Sequence, residues 1–398
     1  MRGWAAKRVV TGATGDPAAG VVEDGAVVVD GACVVYVGPR SGAPAGVALA
    51  DAGDRVVTPG LVDAHTHACW VGSRHAEYAV RMAGGDYRDI AKAGGGILST
   101  HRAIAAATED VLVEALVARL RRMASLGVTT VEVKSGYGLQ PELERAQLRA
   151  IARAATADGV PAVVPTFLGL HALPPGADRA AYVARVAREL VPEIARGGLA
   201  RFVDAYVDAN AFTVAEARAV GEAALAAGLG VRLHVGQFAD VGGAELAADL
   251  RAASVDHLEH VSPAGIAALA GAGVAAVLLP VASFTLAQPP PPVRALREAG
   301  VRLVVASDAN PGTAPTESLP LAVALAVRQY GLTPDEALAA ATRDAAASLR
   351  LDDRGVLRVG ARADLVVWDL PHEHAIVQPW GVPKTRTVVV GGRTVHGA

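Results

Sequence analysis

At 398 residues, with 52% hydrophobic and 19% charged side chains, the chain can bury a large core. A formal charge of -3 supplies neither a basic field for nucleic acid nor an acidic tail, so a small molecule is the expected partner. Two cysteines, Cys33 and Cys69, exclude a disulfide framework, and no uninterrupted apolar stretch reaches the ~20 residues of a membrane helix.

The opening residues MRGWAAKRVV lead into a strand-like stretch rather than a signal peptide, so the cytoplasm is the expected compartment. From Val27 to Gly38 two β-branched runs flank Asp30-Gly31, a turn dipeptide that predicts a hairpin. From about Thr58 to Leu351, apolar strand-like runs alternate with Ala-rich segments of helical period. The runs are GLVDAH, VTTVEVK, PAVVPTFL, ARFVDAYV, VRLHV, ASVDHL, AAVLLP and VRLVVAS; segments such as 109–127, 142–159 and 213–230 read as helices between them. Near the other end, ADLVVWDL and TRTVVVGGRTVHG again read as short strands, the latter a pair joined by Gly391-Gly392.

Eight strand-helix units predict an α/β fold, a (β/α)8 barrel over residues 58–354. Residues 1–57 plus 355–398 then make a small composite β-sandwich domain from both chain ends. An open doubly wound sheet fits less well, because no glycine-rich dinucleotide turn follows the first strand.

Five residues of metal-ligand type end these runs: His65, His67, His234, His257 and Asp308. Alternate strand residues share a face, so His65 and His67 can reach one ion with Thr66 turned aside. In a barrel the carboxyl ends of the strands carry the active site, which is where all five fall. A set of this kind that leaves one position open for water points to catalysis.

An HxH pair on the first strand, His on the fifth and sixth and Asp on the eighth resemble the amidohydrolase superfamily. The segments HTHACWVGSR (65–74), AGGGILST (93–100), VEVKSGYGL (131–139), TFLGLHALPP (166–175), DHL (256–258), LLP (278–280) and SDANPGTAPTE (307–317) are similar, within it, to the imidazolone-opening enzymes of histidine degradation. The resemblance spans nearly the whole chain. It implies hydrolysis of 4-imidazolone-5-propanoate to N-formimidoyl-L-glutamate by a metal-activated water. It also implies one Zn²⁺ or Fe ion per subunit on His65, His67, His234 and Asp308, and a homodimer. Substrate contacts carry over to Arg74, Tyr137, His171, Asn310, Gly312 and Thr313, with Asp308 and His257 handling protons and His257 stabilising the oxyanion as a cation. Arg74 suits a carboxylate, because a guanidinium fork pairs with it in two parallel hydrogen bonds.

One position departs from the family. Its HxxE reads His234-Val235-Gly236-Gln237 here, and a primary amide orients a substrate or water but exchanges no proton at neutral pH. Gln237 therefore keeps two alternatives open: a cyclic amidohydrolase acting on another small acidic lactam or cyclic amidine, and a catalytically silent metal-binding homologue.

Other residues receive plainer readings. Cys69 is expected as a buried thiol, Gly94-Gly95-Gly96 as a mobile loop near the pocket and Pro289 to Pro292 as a stiff surface connection. His260 is expected outside the site, and His75, His101, His372, His374 and His396 receive no role. Lys134 stands on the second strand, not the fourth where the bridging lysine of two-metal relatives sits, so one metal is expected.

Overall fold

The computed structural model describes residues 1–13, 20–85, 95–378 and 380–397. The first five strands are β1 (Arg2–Val10), β2 (Val21–Asp30), β3 (Cys33–Pro39), β4 (Leu49–Asp51) and β5 (Val56–Pro59). The expected hairpin is β2–β3, with Asp30 opposite Cys33 and Gly31 at φ 55° in the turn. The barrel strands follow: β6 (Leu61–Asp63), β7 (Val128–Lys134), β8 (Ala162–Leu170), β9 (Phe202–Val207), β10 (Gly230–Val235), β11 (Ser254–His257), β12 (Ala275–Leu278) and β13 (Leu303–Val305). Three more close the chain: β14 (Leu365–Trp368), β15 (Thr385–Val390) and β16 (Arg393–Gly397).

Two sheets result. In the first the order is β16-β15-β14-β5-β1-β2-β3, with β4 also beside β1, so β14 from the far end of the chain pairs with β5. Period-two alternation gives this sheet two apolar faces. Trp4, Val9, Val27, Val34, Leu365, Val367 and Val389 meet in a core of their own, while Val56, Val366, Trp368, Val388 and Val390 pack into the barrel core. Trp368 is fully enclosed at this seam and its indole N–H donates to Thr58 Oγ1 at 2.8 Å. Enclosing such a ring contributes roughly 2–3 kcal/mol.

The chain passes between sheets at Gly60, where a Cβ would lie 2.1 Å from Thr129 Oγ1, so no side chain fits. In the second sheet β6 to β13 pair in chain order and every pair is parallel. The ring closes just beyond β6 and β13, where Asp308 N–H donates to His65 O at 3.1 Å and His67 N–H to Ala309 O at 3.0 Å. Below that seam the Asp63 carboxylate accepts from Ser307 N–H (3.0 Å) and Oγ (2.6 Å). The eight expected runs are the eight strands of a nearly closed (β/α)8 barrel.

The expected helices occupy Glu109–Ser125, Pro141–Ala154 and Val214–Ala226. Thr108 caps the first and Thr213 forms a capping box with Glu216 on the third. In the second, Pro141 suits the first turn, and the inward face carries Leu148 and Ile151 together with two polar residues, Glu144 and Gln147. Among the described residues no helix is long and apolar enough to cross a membrane.

Candidate active site

At the carboxyl end of the barrel, His65 and His67 follow β6, His234 lies in β10 and Asp308 follows β13. All four are buried. His67 Nε2 lies 3.2 Å from His234 Nε2 and 3.5 Å from Asp308 Oδ1; His65 Nε2 lies 3.4 Å from the same oxygen. A tetrahedral shell with bonds of ~2.0–2.1 Å has ligand–ligand edges of about 3.4 Å, so these donors have the spacing of one coordination sphere. Burial above all holds His65 and His67 well below the ordinary histidine range, with the Lys134 ammonium adding to it, which keeps them neutral as ligands must be. Burial also drives the Asp308 carboxyl well above its usual range, and a cation at the convergence point is the charge it requires. The donor set fits a metal ion.

Behind these donors stands a layer of charge. His65 Nδ1 donates to Asp256 Oδ2 at 2.7 Å and His234 Nδ1 to Asp204 Oδ1 at 3.1 Å, which leaves Nε2 of each ring toward the centre. Lys134 Nζ sits 2.9 Å from Asp204 Oδ2, 2.8 Å from Glu132 Oε1 and 3.8 Å from Asp256 Oδ2. Burial alone would depress its pKa; Asp204, Glu132 and Asp256 outweigh it and raise the value. Lys134 is thus the counter-cation of the ligand-orienting carboxylates. One sign of this layer is visible along the chain: Glu132, Asp204 and Asp256 interrupt otherwise apolar strands, where a charge is costly unless paired.

A cavity of about 390 Å³ opens above the cluster, lined by His67, His234, His257 and Asp308 and by Arg74, Tyr137, His171, Gln237, Asn310 and Thr313. Arg74 and Tyr137 therefore share one cavity with the cluster. His65 lies beneath it. Gly312 lies under the Arg74 guanidinium, and a Cβ there would come within 2.2 Å of Nη1. Glu77 Oε2 accepts from Arg74 Nε (2.8 Å) and Gly96 N–H (3.0 Å), tying Arg74 to the glycine-rich segment; Gly94 lies outside the described residues.

The loop after β7 is held from below. Glu144 accepts from Gly136 and Leu139 N–H, and Gln147 Oε1 from Tyr137 and Gly138 N–H, at 2.7–3.1 Å. Three residues apart on a helix, the two side chains reach the loop together. Burial pushes Glu144 up to about 7 against these hydrogen bonds. His171 Nδ1 donates to Gly136 O at 2.7 Å, and burial takes this ring down to about 3, so Nε2 is an acceptor. His101, expected to have no role, donates from Nδ1 to Tyr137 O at 3.1 Å.

The surroundings of His257, Asn310 and Gln237 define each more closely. Burial pushes His257 down to about 3, so it is a neutral imidazole rather than a cation. Asn310 spends its amide locally: Nδ2 donates to Asp308 O (2.7 Å) and Thr313 Oγ1 (3.0 Å), while Oδ1 accepts from Gly312 and Thr313 N–H (2.8 and 2.7 Å). These hydrogen bonds shape the loop after β13, and from it Asn310 and Thr313 line the cavity. Gln237 Oε1 accepts from Tyr206 O–H at 2.8 Å, which assigns the amide orientation and turns Nε2 to the cavity.

Cys69 is buried and its thiol is pushed up to about 12, an inert group. His260 is exposed, outside the cavity. Away from the cavity, His372, the buried Glu373 and His374 also cluster, but Glu373 is engaged by Arg8 and His374 by Asp335.

The model of the amidohydrolase family matches residues 56–395. An imidazolonepropionase of Methylobacterium sp. (strain 4-46) is 46% identical over 395 residues, 98% of each chain. One from Caulobacter vibrioides (strain NA1000 / CB15N) is 45% identical over 386 residues, 96% of each. Among solved structures, the atrazine chlorohydrolase TrzN from Arthrobacter aurescens TC1 complexed with zinc superposes with a TM-score of 0.69 at 18% identity, over 99% of this chain and 95% of that one. An adenosine deaminase from Xanthomonas campestris with bound zinc gives 0.72 at 20%, over 98% and 92%. At such identities these likenesses speak to the fold.

Proposed function

The chain belongs to the amidohydrolase family, and from that premise we propose that it is an imidazolonepropionase, opening 4-imidazolone-5-propanoate to N-formimidoyl-L-glutamate with one water. The carrying observation is the 46% identity across 98% of a relative of that name. The cavity supports the substrate class, because it sets a guanidinium, Arg74, beside a His/Asp cluster. In this reading the protein works in the cytoplasm as a homodimer, and residues 1–57 plus 355–398 form a composite β domain beside a barrel domain of 58–354.

His65, His67, His234 and Asp308 would hold one Zn²⁺ or Fe ion, a choice that donor chemistry leaves to availability. Bound there, the ion supplies Lewis acidity that makes water a competent nucleophile near neutral pH. Arg74 pairs with the propionate and fixes the ring over the cluster. His171 accepts at Nε2 from a ring N–H, while Gln237 Nε2 donates to a ring acceptor and transfers no proton. His257 and Asp308 remain to take the proton from water. As the ring C–N bond breaks, that proton passes to the departing nitrogen, so the overall reaction consumes one water and releases no ion.

The test is turnover of freshly generated 4-imidazolone-5-propanoate, followed as loss of its ultraviolet absorbance, by metal-loaded wild type, Asp308→Asn and Gln237→Glu. Turnover that vanishes in Asp308→Asn is expected. A wild type without turnover, with activity only in Gln237→Glu, would sink the reading and favour the silent homologue.

A further inference from the structure

β11 ends at His257 and the chain runs on through Leu258-Glu259; two successive non-glycine residues there are left-handed, His257 at φ 86° and Leu258 at φ 70°. A left-handed pair of ordinary residues is held only where the surroundings over-determine it. Here it turns Glu259 back beside His257. His257 Nδ1 and Glu259 Oε2 lie 3.7 Å apart, both buried and both without a hydrogen-bond partner among the described residues. The other oxygen is anchored: Ser283 Oγ donates to Glu259 Oε1 at 2.6 Å. Since its single proton is used there, Tyr330 O–H donates to Ser283 Oγ, also at 2.6 Å. Glu259 is therefore fixed from behind, with one unmatched acceptor beside the buried, unmatched Nδ1 of the cavity-lining histidine. Movement of roughly 1 Å brings the two within hydrogen-bond distance.

Resting on the hydrolase reading above, we propose that Glu259 is a positioning residue that holds His257 as its Nδ1–H tautomer and so delivers the Nε2 lone pair to the cavity. It thereby provides, through His257, the carboxylate support that Gln237 lacks. The step balances. As the water oxygen bonds to the ring carbonyl carbon, its proton passes to His257 Nε2, and Glu259 stays ionised beside the transient imidazolium. Burial pushes the Glu259 carboxyl up to about 7, and the imidazolium forming beside it favours the ionised form. When the ring C–N bond breaks, the same proton moves from Nε2 to the departing nitrogen. The logic is that of a histidine oriented by a buried carboxylate, in which loss of the carboxylate charge presents the wrong tautomer.

The experiment compares metal-loaded wild type, Glu259→Gln, Ser283→Ala and Gln237→Glu/Glu259→Gln in steady-state turnover of 4-imidazolone-5-propanoate, with metal content measured for each. In Glu259→Gln we expect kcat to fall about 100-fold or more with KM within about threefold and metal content unchanged. Ser283→Ala should show a smaller fall, and the double variant should regain part of kcat. Retention of kcat within threefold in Glu259→Gln overturns the proposal, as does a parallel loss of metal. If that variant does not fold, ¹⁵N spectra of histidine-labelled wild type decide, with the His257 signal assigned from His257→Gln. A Nδ1–H signal upholds the proposal and a Nε2–H signal overturns it. The spectrum needs no substrate, so a wild type lacking turnover fails the functional reading separately.

Discussion

Replacing Lys134 by Met keeps the length and apolar stem of the side chain and deletes its charge. The ammonium lies within 2.9 Å of both Glu132 and Asp204 and 3.8 Å from Asp256, and all of these side chains are fully buried. Without it, Asp204 retains His234, Asp256 retains His65 and Arg232, and Glu132 retains the Thr66 N–H, but the carboxylates lose their shared cation. Removing one partner from a buried ionic cluster costs about 3–5 kcal/mol. With an unfolding entropy of ~2.1 cal/mol/K per residue, the whole chain gives about 0.8 kcal/mol/K, so Tm should fall by roughly 4–6 °C. The sign of the pH dependence follows from the raised pKa of Lys134. Its contribution is complete below the ordinary lysine value of ~10.4 and is lost only as pH rises through the higher folded value. The difference between wild type and Lys134→Met should therefore be constant from pH 7 to 9. Calorimetry of chelator-treated protein reads it directly. A Tm within 1 °C of wild type, or a difference that shrinks across that window, would refute the view that this lysine neutralises the layer behind the ligands.

Arg74→Lys should raise KM for the carboxylate-bearing substrate about 30-fold and leave kcat nearly unchanged, because a point charge replaces a two-bond fork worth ~2 kcal/mol; an equal loss in kcat would show that Arg74 acts on the reacting atoms. In Tyr206→Phe the Gln237 amide loses the donor that orients it, and kcat/KM should fall about tenfold, the value of one hydrogen bond of ~1.4 kcal/mol. Unchanged kinetics would mean that the amide orientation is immaterial. Glu144 is an acid whose folded value, about 7, lies above its ordinary 4.5, so the folded state binds more protons between the two. Stability should fall by up to roughly 3 kcal/mol as pH rises through that window. Denaturant titrations should show that slope flattened in Glu144→Gln, and a slope equal to wild type counts against it.

What the sequence made legible was what repeats or sits at a fixed offset. The eight strand runs are apolar enough to stand out from helical segments, and His65-Thr66-His67 declares a shared face by spacing alone. The layer behind them was not legible, because its members come from three strands and only the closed ring brings Lys134 to Asp204 and Asp256. Glu144 and Gln147 read as ordinary polar residues of a helix until the loop after β7 folds onto them. The local hydrogen bonds of Asn310 were hidden for a related reason, since they close within its own turn and a residue list carries no record of which donors are engaged. The neutral state of His257 likewise depends on burial, which no motif encodes.

The pairing of β5 with β14 has a consequence for how the chain emerges from the ribosome. β5 finds β1 at once, but its other edge waits for a partner about 300 residues later, and at 5–20 residues per second that is roughly 15–60 s. Throughout that interval a nascent chain exposes a row of unpaired backbone groups on Val56, Val57 and Thr58, an edge that invites association with any neighbouring extended chain. The barrel matures while this seam stands open, and the last strands to be made serve as the seal that ends the vulnerability.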